Sequence, residues 1–231
     1  MTGAEQARAA VAVLGDDLRR RMYDFIRRSG RPVTRDEAAE SVGISRKLAA
    51  FHLDKLVAVG LLSAGYGRPG EPRPVGRAPK VYQPTGLDVR VSIPPREHEL
   101  LAAILLEAVR DQHADETARE AALRTAEEHG RALGAAERDR ARPGRLGAER
   151  ALTCAARVLE RYGFEPVRVA PDLLRLRNCP FHPLAAQDPG LVCAINHALL
   201  AGFLHGLDAP AAEAVLAPRP DACCVELRGT R

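Results

Sequence analysis

Between Thr34 and Leu62 the chain spells out two short, capped helices separated by a single glycine, and few folds accept that pattern. Thr34 and Glu37 stand at capping-box spacing, Ala38, Ala39 and Val42 follow, and Gly43 stops the run. Ser45 caps the next helix, whose expected core face is Leu48, Ala49, Leu53, Leu56 and Val57, and Gly60 ends it. Upstream, Leu18, Met22, Phe25 and Ile26 recur at helical spacing until Gly30-Arg31-Pro32. Three helices with a glycine turn between the second and third make a helix-turn-helix. Leu61–Leu62 and Val81–Tyr82 flank a Gly/Pro/Arg-rich stretch, Gly65–Pro79, and read as the two strands of a wing. Gly65–Gly70 also matches the dinucleotide pattern G-x-G-x-x-G, but Pro69, Pro72, Pro74 and Pro79 forbid the helix that pattern must open.

A recognition helix places its first turns in the major groove. Ser45, Arg46 and Lys47 open this one, and His52 and Lys55 are expected on its next exposed turns. Arg68, Arg73, Arg77 and Lys80 of the wing suit phosphate or minor-groove contact. Charge agrees. Residues 1–96 carry 17 basic and 10 acidic side chains, whereas residues 97–231 carry 17 and 20, so the front is +7 and the back −3. A polyanion is therefore expected at the front only, and double-stranded DNA is the expected partner.

The chain has 231 residues, which suits two domains of roughly 100–150 residues better than one. The expected division is a DNA-binding domain over 1–86, a linker over 87–95 and a second domain over 96–231. Behind the linker, Glu97–Gln112, Glu116–Arg138, a segment through Leu152 and Leu159, and Gly190–Leu207 read as helices. Phe164–Val169, Leu173–Leu176 and Cys223–Leu227 read as strands, so the fold class is α+β with a small antiparallel sheet. No apolar run approaches the roughly 20 residues that span a bilayer, and Glu5 and Arg8 sit where a signal peptide needs apolar residues. The expectation is a cytoplasmic protein with no membrane partner.

Five cysteines stand at 154, 179, 193, 223 and 224. Clustered cysteines in a cytoplasmic chain point to metal binding or redox sensing before structural disulfides. Cys179 opens a loop, Cys193 is expected in the first turn of a helix, and Cys223-Cys224 begin the last strand, so the three can converge. A helix start favours an anionic thiolate or cluster. Thiolates hold iron–sulfur clusters and structural zinc alike. His182, Asp188 and His197 are candidate fourth ligands, whereas Cys154 lies mid-helix among apolar neighbours and reads as core.

Two resemblances sharpen this. The segment from Gly43 to Leu62 resembles the recognition helix of ArsR-like winged-helix repressors, and Gly76–Tyr82 resembles their second wing strand. Leu176–Phe181, Leu191–His197 and Cys223–Leu227 resemble the C-terminal half of the SufR-type iron–sulfur transcriptional regulators, so the likeness covers nearly the whole chain. It implies a homodimeric repressor holding a cluster, of the 4Fe–4S kind, on three cysteines. By the motif, Cys179 and Cys193 carry over directly, and the third ligand is Cys223 or Cys224, with Cys223 favoured.

Two other readings share the cysteines. One keeps the architecture but senses zinc or thiol oxidation. The other is a thiol enzyme using Cys179 and His182, which needs a base held by a third group, and no such group can be read from the chain. The expectation is no enzymatic activity. Leu100, Leu101, Ile104, Leu105 and Val109 form more apolar surface than one small domain needs. With Leu14–Ile26, that helix is expected in a twofold interface, and a twofold dimer implies an inverted-repeat operator.

Overall fold

The structure, a computed structural model, describes residues 3–67, 78–142, 144–220 and 222–230. The chain divides into two compact units, Met1–Val91 and Ser92–Arg231. The protein is α+β.

The front unit runs α1 (Gly3–Leu14), α2 (Asp17–Ser29), β1 (Val33–Thr34), α3 (Arg35–Val42), α4 (Arg46–Ala58), β2 (Leu62–Tyr66) and β3 (Lys80–Pro84). The N-caps of α3 and α4 are the ones expected from sequence. Thr34 Oγ1 accepts from Glu37 N while the Glu37 carboxylate accepts from Thr34 N at 2.7 Å. Ser45 Oγ accepts from Leu48 N. Gly43 makes the turn between α3 and α4 at φ +71°, a conformation that glycine adopts without a Cβ penalty. The strands pair antiparallel in the order β1-β3-β2, with Val33 opposite Tyr82 and Leu62 opposite Pro84. The core joins Met22, Ile26, Val33, Leu53, Leu56, Leu62 and Tyr82. Helix α1 and strand β1 were not anticipated.

The second unit holds α5 (His98–Arg110), α6 (Ala118–Ala141), α7 (Ala148–Arg161), β4 (Pro166–Ala170), β5 (Leu173–Leu176), α8 (Leu184–Gln187), α9 (Pro189–Gly206), β6 (Ala212–Leu216) and β7 (Val225–Gly229). Its antiparallel sheet has the order β4-β5-β7-β6. That is one strand more than expected, because the Ala/Glu composition of β6 carries little strand signal. Leu174, Leu176, Val225 and Leu227 point into a core shared with α7 and α9. Helix α9 is long and apolar enough, by length and composition, to cross a membrane. Here it is the central core helix, with Val192, Ile195, Leu199, Leu200 and Phe203 buried.

Helices α6 and α9 touch backbone to backbone. A Cβ added at Gly130 would lie 2.0 Å from the Leu199 carbonyl oxygen, and one at Gly134 would lie 2.1 Å from that of Phe203. From the other side, a Cβ at Gly202 or Gly206 would lie 2.1 Å from the carbonyl oxygens of Glu127 or Arg131. The pairs 127/202 and 131/206 advance together, so the two helices run parallel. Glycine at positions i and i+4 on both helices permits this approach, as small-residue pairs do elsewhere.

Candidate functional site

Two groups of residues carry chemistry, one in each unit. In the front unit, α4 presents its outer side between the N-terminus of α3 and the wing strands. Ser45 and Lys47 are exposed, and Lys55 is exposed one turn beyond Phe51. Arg46 Nε lies 3.1 Å from the Asp36 carboxylate. Lys80 on β3 lies 3.2 Å from Asp54 Oδ1, and its ammonium sits 5.3 Å above the Tyr82 ring. Asp54 holds the Lys80 pKa above its usual value, burial working against it. Arg35, Arg46, Tyr66 and Lys80 line one cleft beside the wing. Arg68, Arg73 and Arg77, expected in this surface, lie outside the described residues.

Two expectations about α4 need correction. His52 is not an exposed DNA contact: it is only 7% exposed, and its Nδ1 has no hydrogen-bond partner. Ala49, His52, Leu53 and Leu56, at positions i, i+3, i+4 and i+7, form the buried stripe. Leu48, expected in the core, lies instead on the open side, 43% exposed, beside Phe51 at 55%. Ala49, Leu53 and Leu56 are buried as expected, but His52 takes the core slot that hydrophobicity alone assigned to Leu48.

In the second unit, four thiols come together from three places. Cys179 follows β5 in a loop, Cys193 lies on α9, and Cys223-Cys224 immediately precede β7. Cys223 N donates to the Leu176 carbonyl and Ala217 N to that of Cys224, each at 2.8 Å, which fixes the doublet beside β5. The thiols of Cys179 and Cys223 interact, Cys223 interacts with Cys224, and Cys224 with Cys193. All five cysteines are free thiols. The contacts form a chain; among the described residues no group of three or more His, Cys, Asp or Glu side chains is placed to hold a metal ion.

The surroundings of these sulfurs are polar in a specific sense. Asn196 Nδ2, buried on α9, donates to Cys223 Sγ at 3.1 Å. Backbone N–H groups of Phe181 and His182 favour negative charge on Cys179, and that of Val225 does the same for Cys223. Against this, the neighbouring Cys223 and then burial push the Cys179 thiol up. Cys223 is drawn down by Cys179, but Cys224 and burial carry it up to about 12. Burial also raises Cys193, with Cys224 opposing.

Cys193 was expected in a helix's first turn, where unpaired N–H groups would stabilise a thiolate. It is the fifth residue of α9. Asp188 caps that helix by accepting from Leu191 N, and Val192 N donates to the Asp188 carbonyl, so the dipole gives Cys193 little. Asp188 is thus engaged as a cap, and His197 Nε2 contacts the Ala214 carbonyl at 3.0 Å. The His182 side chain is exposed. Cys154 lies on α7, its thiol raised first by burial and then by the charge of Glu137.

Sequence reading missed the ties between the Cys179 loop and the first residues of the second unit. Arg96 Nη1 donates to Asn178 Oδ1 and, at 3.0 Å, to the Cys179 carbonyl. Asn178 Nδ2 donates to the carbonyls of Pro95 and Gly163. Glu97 N donates to the Pro180 carbonyl, and His98 Nε2 lies 3.0 Å from that of His182. The only hint in the sequence is the polar Asn178 beside Cys179.

A family model described as a helix-turn-helix domain matches residues 14–63, from the end of α1 to the first residues of β2. No curated protein gives a significant match to the chain. The match, together with the exposed basic face of α4 and the paired wing strands, supports a DNA-binding transcriptional regulator.

Proposed function

We propose that this regulator is a homodimeric repressor acting on an inverted-repeat operator, and that its second unit holds an iron–sulfur cluster on Cys179, Cys193 and one residue of the Cys223-Cys224 doublet. The observation that carries the cofactor reading is the convergence of four thiols from a loop, a helix and a strand end. The donor set fits: cysteine thiolates are the ligands such clusters use, and hydrogen bonds to the sulfurs tune them. A cluster bound there would supply a one-electron, oxygen-sensitive change of state.

The chain's own residues do the rest. Asn196 offers an N–H to Cys223 Sγ. The raised thiols of Cys179, Cys193 and Cys223 are protonated at neutral pH, so loading releases protons and strengthens as pH rises. The Cys179 loop is tied by Arg96 and Asn178 to Pro95–His98, the stretch by which the chain enters the second unit. A displaced loop would therefore move that stretch, and dimer geometry sets the spacing of half-sites.

The dimer reading rests on the outer side of α5. Leu101 and Ile104, expected at the interface, are buried within the unit beside Ala108, so the interface does not run through them. Leu106 and Val109, 70% and 73% exposed, form an apolar face that suits a second copy.

The test is anaerobic reconstitution of the full chain with iron and sulfide, followed by the visible spectrum and iron per chain. Cys179→Ser and Cys193→Ser should lose most of the iron, as should Cys223→Ser or Cys224→Ser, while Cys154→Ser keeps it. A wild-type chain that stays colourless and binds zinc instead would replace the cluster reading. Loss of iron in Cys154→Ser alone would overturn the ligand set.

A further inference from the structure

We infer that the phenyl ring of Phe51, with Leu48 beside it, reads thymine 5-methyl groups in the major groove, which makes Phe51 a specificity-determining residue of the regulator. The inference rests on the DNA-binding reading and adds which base feature the helix recognises.

At 100° per residue, the buried residues Ala49, His52, Leu53 and Leu56 of α4 fill one sector, and Lys47 and Phe51 stand on the opposite side. Phe51 is thus at the middle of the face that the helix offers outward, not at the margin of the core. Its ring is 55% exposed, and Leu48 adjoins it at 43%.

An exposed phenyl ring is an odd choice for a phosphate-binding surface, since it can neither donate nor accept. Its neighbours fix what it meets. Lys47 lies one turn before it and Lys55 one turn after, with the Lys55 ammonium 5.5 Å from the ring centroid. Arg46 stands at the start of the same helix, and Arg35 and Lys80 line the adjoining cleft. A surface so rimmed with cations approaches a polyanion, so the apolar centre must fit an apolar spot on that polyanion. In the major groove the one such spot that distinguishes a base is the thymine methyl.

The cation–π contact between Lys55 and Phe51 holds the ring in place on the same helix at i and i+4. A ring held in this way offers a fixed apolar patch. Removing one methyl from such a contact is worth roughly a three- to fivefold change in affinity.

The experiment uses the full chain. Duplexes are selected from a random-sequence pool, and each thymine of the selected duplex is replaced in turn by uracil, which keeps the base pair and removes only the methyl. The wild type should bind roughly three- to fivefold more weakly at one or two positions per half-site. Phe51→Ala, whose thermal midpoint should match the wild type because the side chain is exposed, should bind thymine and uracil duplexes alike. Phe51→Leu should keep part of the difference. A wild type indifferent to uracil at every position, or a Phe51→Ala variant that retains the full difference, overturns the inference and leaves DNA binding standing. Failure to select any salt-sensitive duplex overturns DNA binding, and this inference with it. A Phe51→Ala variant that changes the oligomeric mass but not the thymine-to-uracil ratio assigns the ring to a second copy and also overturns it.

Discussion

Arg96 Nη1 donates to the carbonyl oxygen of Cys179 at 3.0 Å and, at 2.5 Å, to the side-chain oxygen of Asn178. Two residues 83 positions apart in sequence are thus held together beside the cysteine cluster. Arg96→Ala should loosen the loop without touching a thiol, at a cost of about 1–3 kcal/mol for the charged hydrogen bonds. Alkylation of Cys179, followed by peptide mapping, should speed up several-fold while Cys154 keeps its wild-type rate. Equal rates at Cys179 in both proteins would remove Arg96 from the loop's support.

Arg46 stands at the first position of the recognition helix, with its Nε 3.1 Å from the Asp36 carboxylate. Arg46→Ala should weaken operator binding by about 1–3 kcal/mol if it meets a base edge, and should flatten the salt dependence if it meets a phosphate. Asp36→Asn should strengthen binding, because it frees the guanidinium and removes a negative charge near the backbone. Fluorescence anisotropy across a salt series separates the two roles of Arg46.

Leu106→Asp places a charge at the centre of the exposed side of α5 and disturbs none of the buried Leu101, Ile104 or Ala108. Light scattering should show the wild type at twice the mass of one chain and the variant at one. Circular dichroism should be the same for both. A variant that remains dimeric would place the interface elsewhere.

Gly130→Ala sets two effects against each other. Alanine gains about 1 kcal/mol of helix propensity, but its Cβ would sit 2.0 Å from the Leu199 carbonyl oxygen, and forcing two backbones apart costs about 3 kcal/mol, the upper end of what overpacking exacts. The overlap wins, so the denaturant midpoint of the second unit should fall. A stabilised variant would contradict the backbone contact.

Glu37 supplies the pH test. The Arg31 guanidinium, then the Thr34 N–H and hydroxyl, hold its carboxyl at about 2, below the usual 4.5, against some burial. The folded value is the lower one, so this stabilisation is complete above pH 4.5 and drains away as pH falls towards 2. The side chain is 28% exposed, and a contribution near about 1 kcal/mol is expected after solvent screening. Glu37→Gln should lose that stability at neutral pH and show a flatter acid-unfolding profile over the same window.

Much of the front unit could be read in advance because caps are local. Thr34, Glu37, Gly43 and Ser45 act on backbone groups within four residues, and each does so as expected. The orientation of α4 could not be read so easily. A histidine among leucines reads as surface until tertiary packing encloses it, and His52 is enclosed. In the second unit the three cysteine-bearing segments were legible, but their polar companions Arg96 and Asn196 were not, since both act over more than twenty residues of sequence. The glycine spacing 130/134 and 202/206 was the one overlooked signal with a physical reading. Each pair taken alone looks like a weak point in a helix, and only the two together mark a contact.

That contact limits how any change at the cysteines can spread. Ordinary helix packing interleaves flexible side chains, and a small push can be absorbed by rotamer changes within a turn or two. Where Gly130 and Gly134 lie directly on the backbone of α9, there is no side chain to yield. Helix α9 carries Cys193 near one end and the glycine seam near the other, so a shift of α9 at the thiol meets the α6 backbone directly at the seam. The pair behaves as one stiff strut, and displacement of either helix is displacement of both.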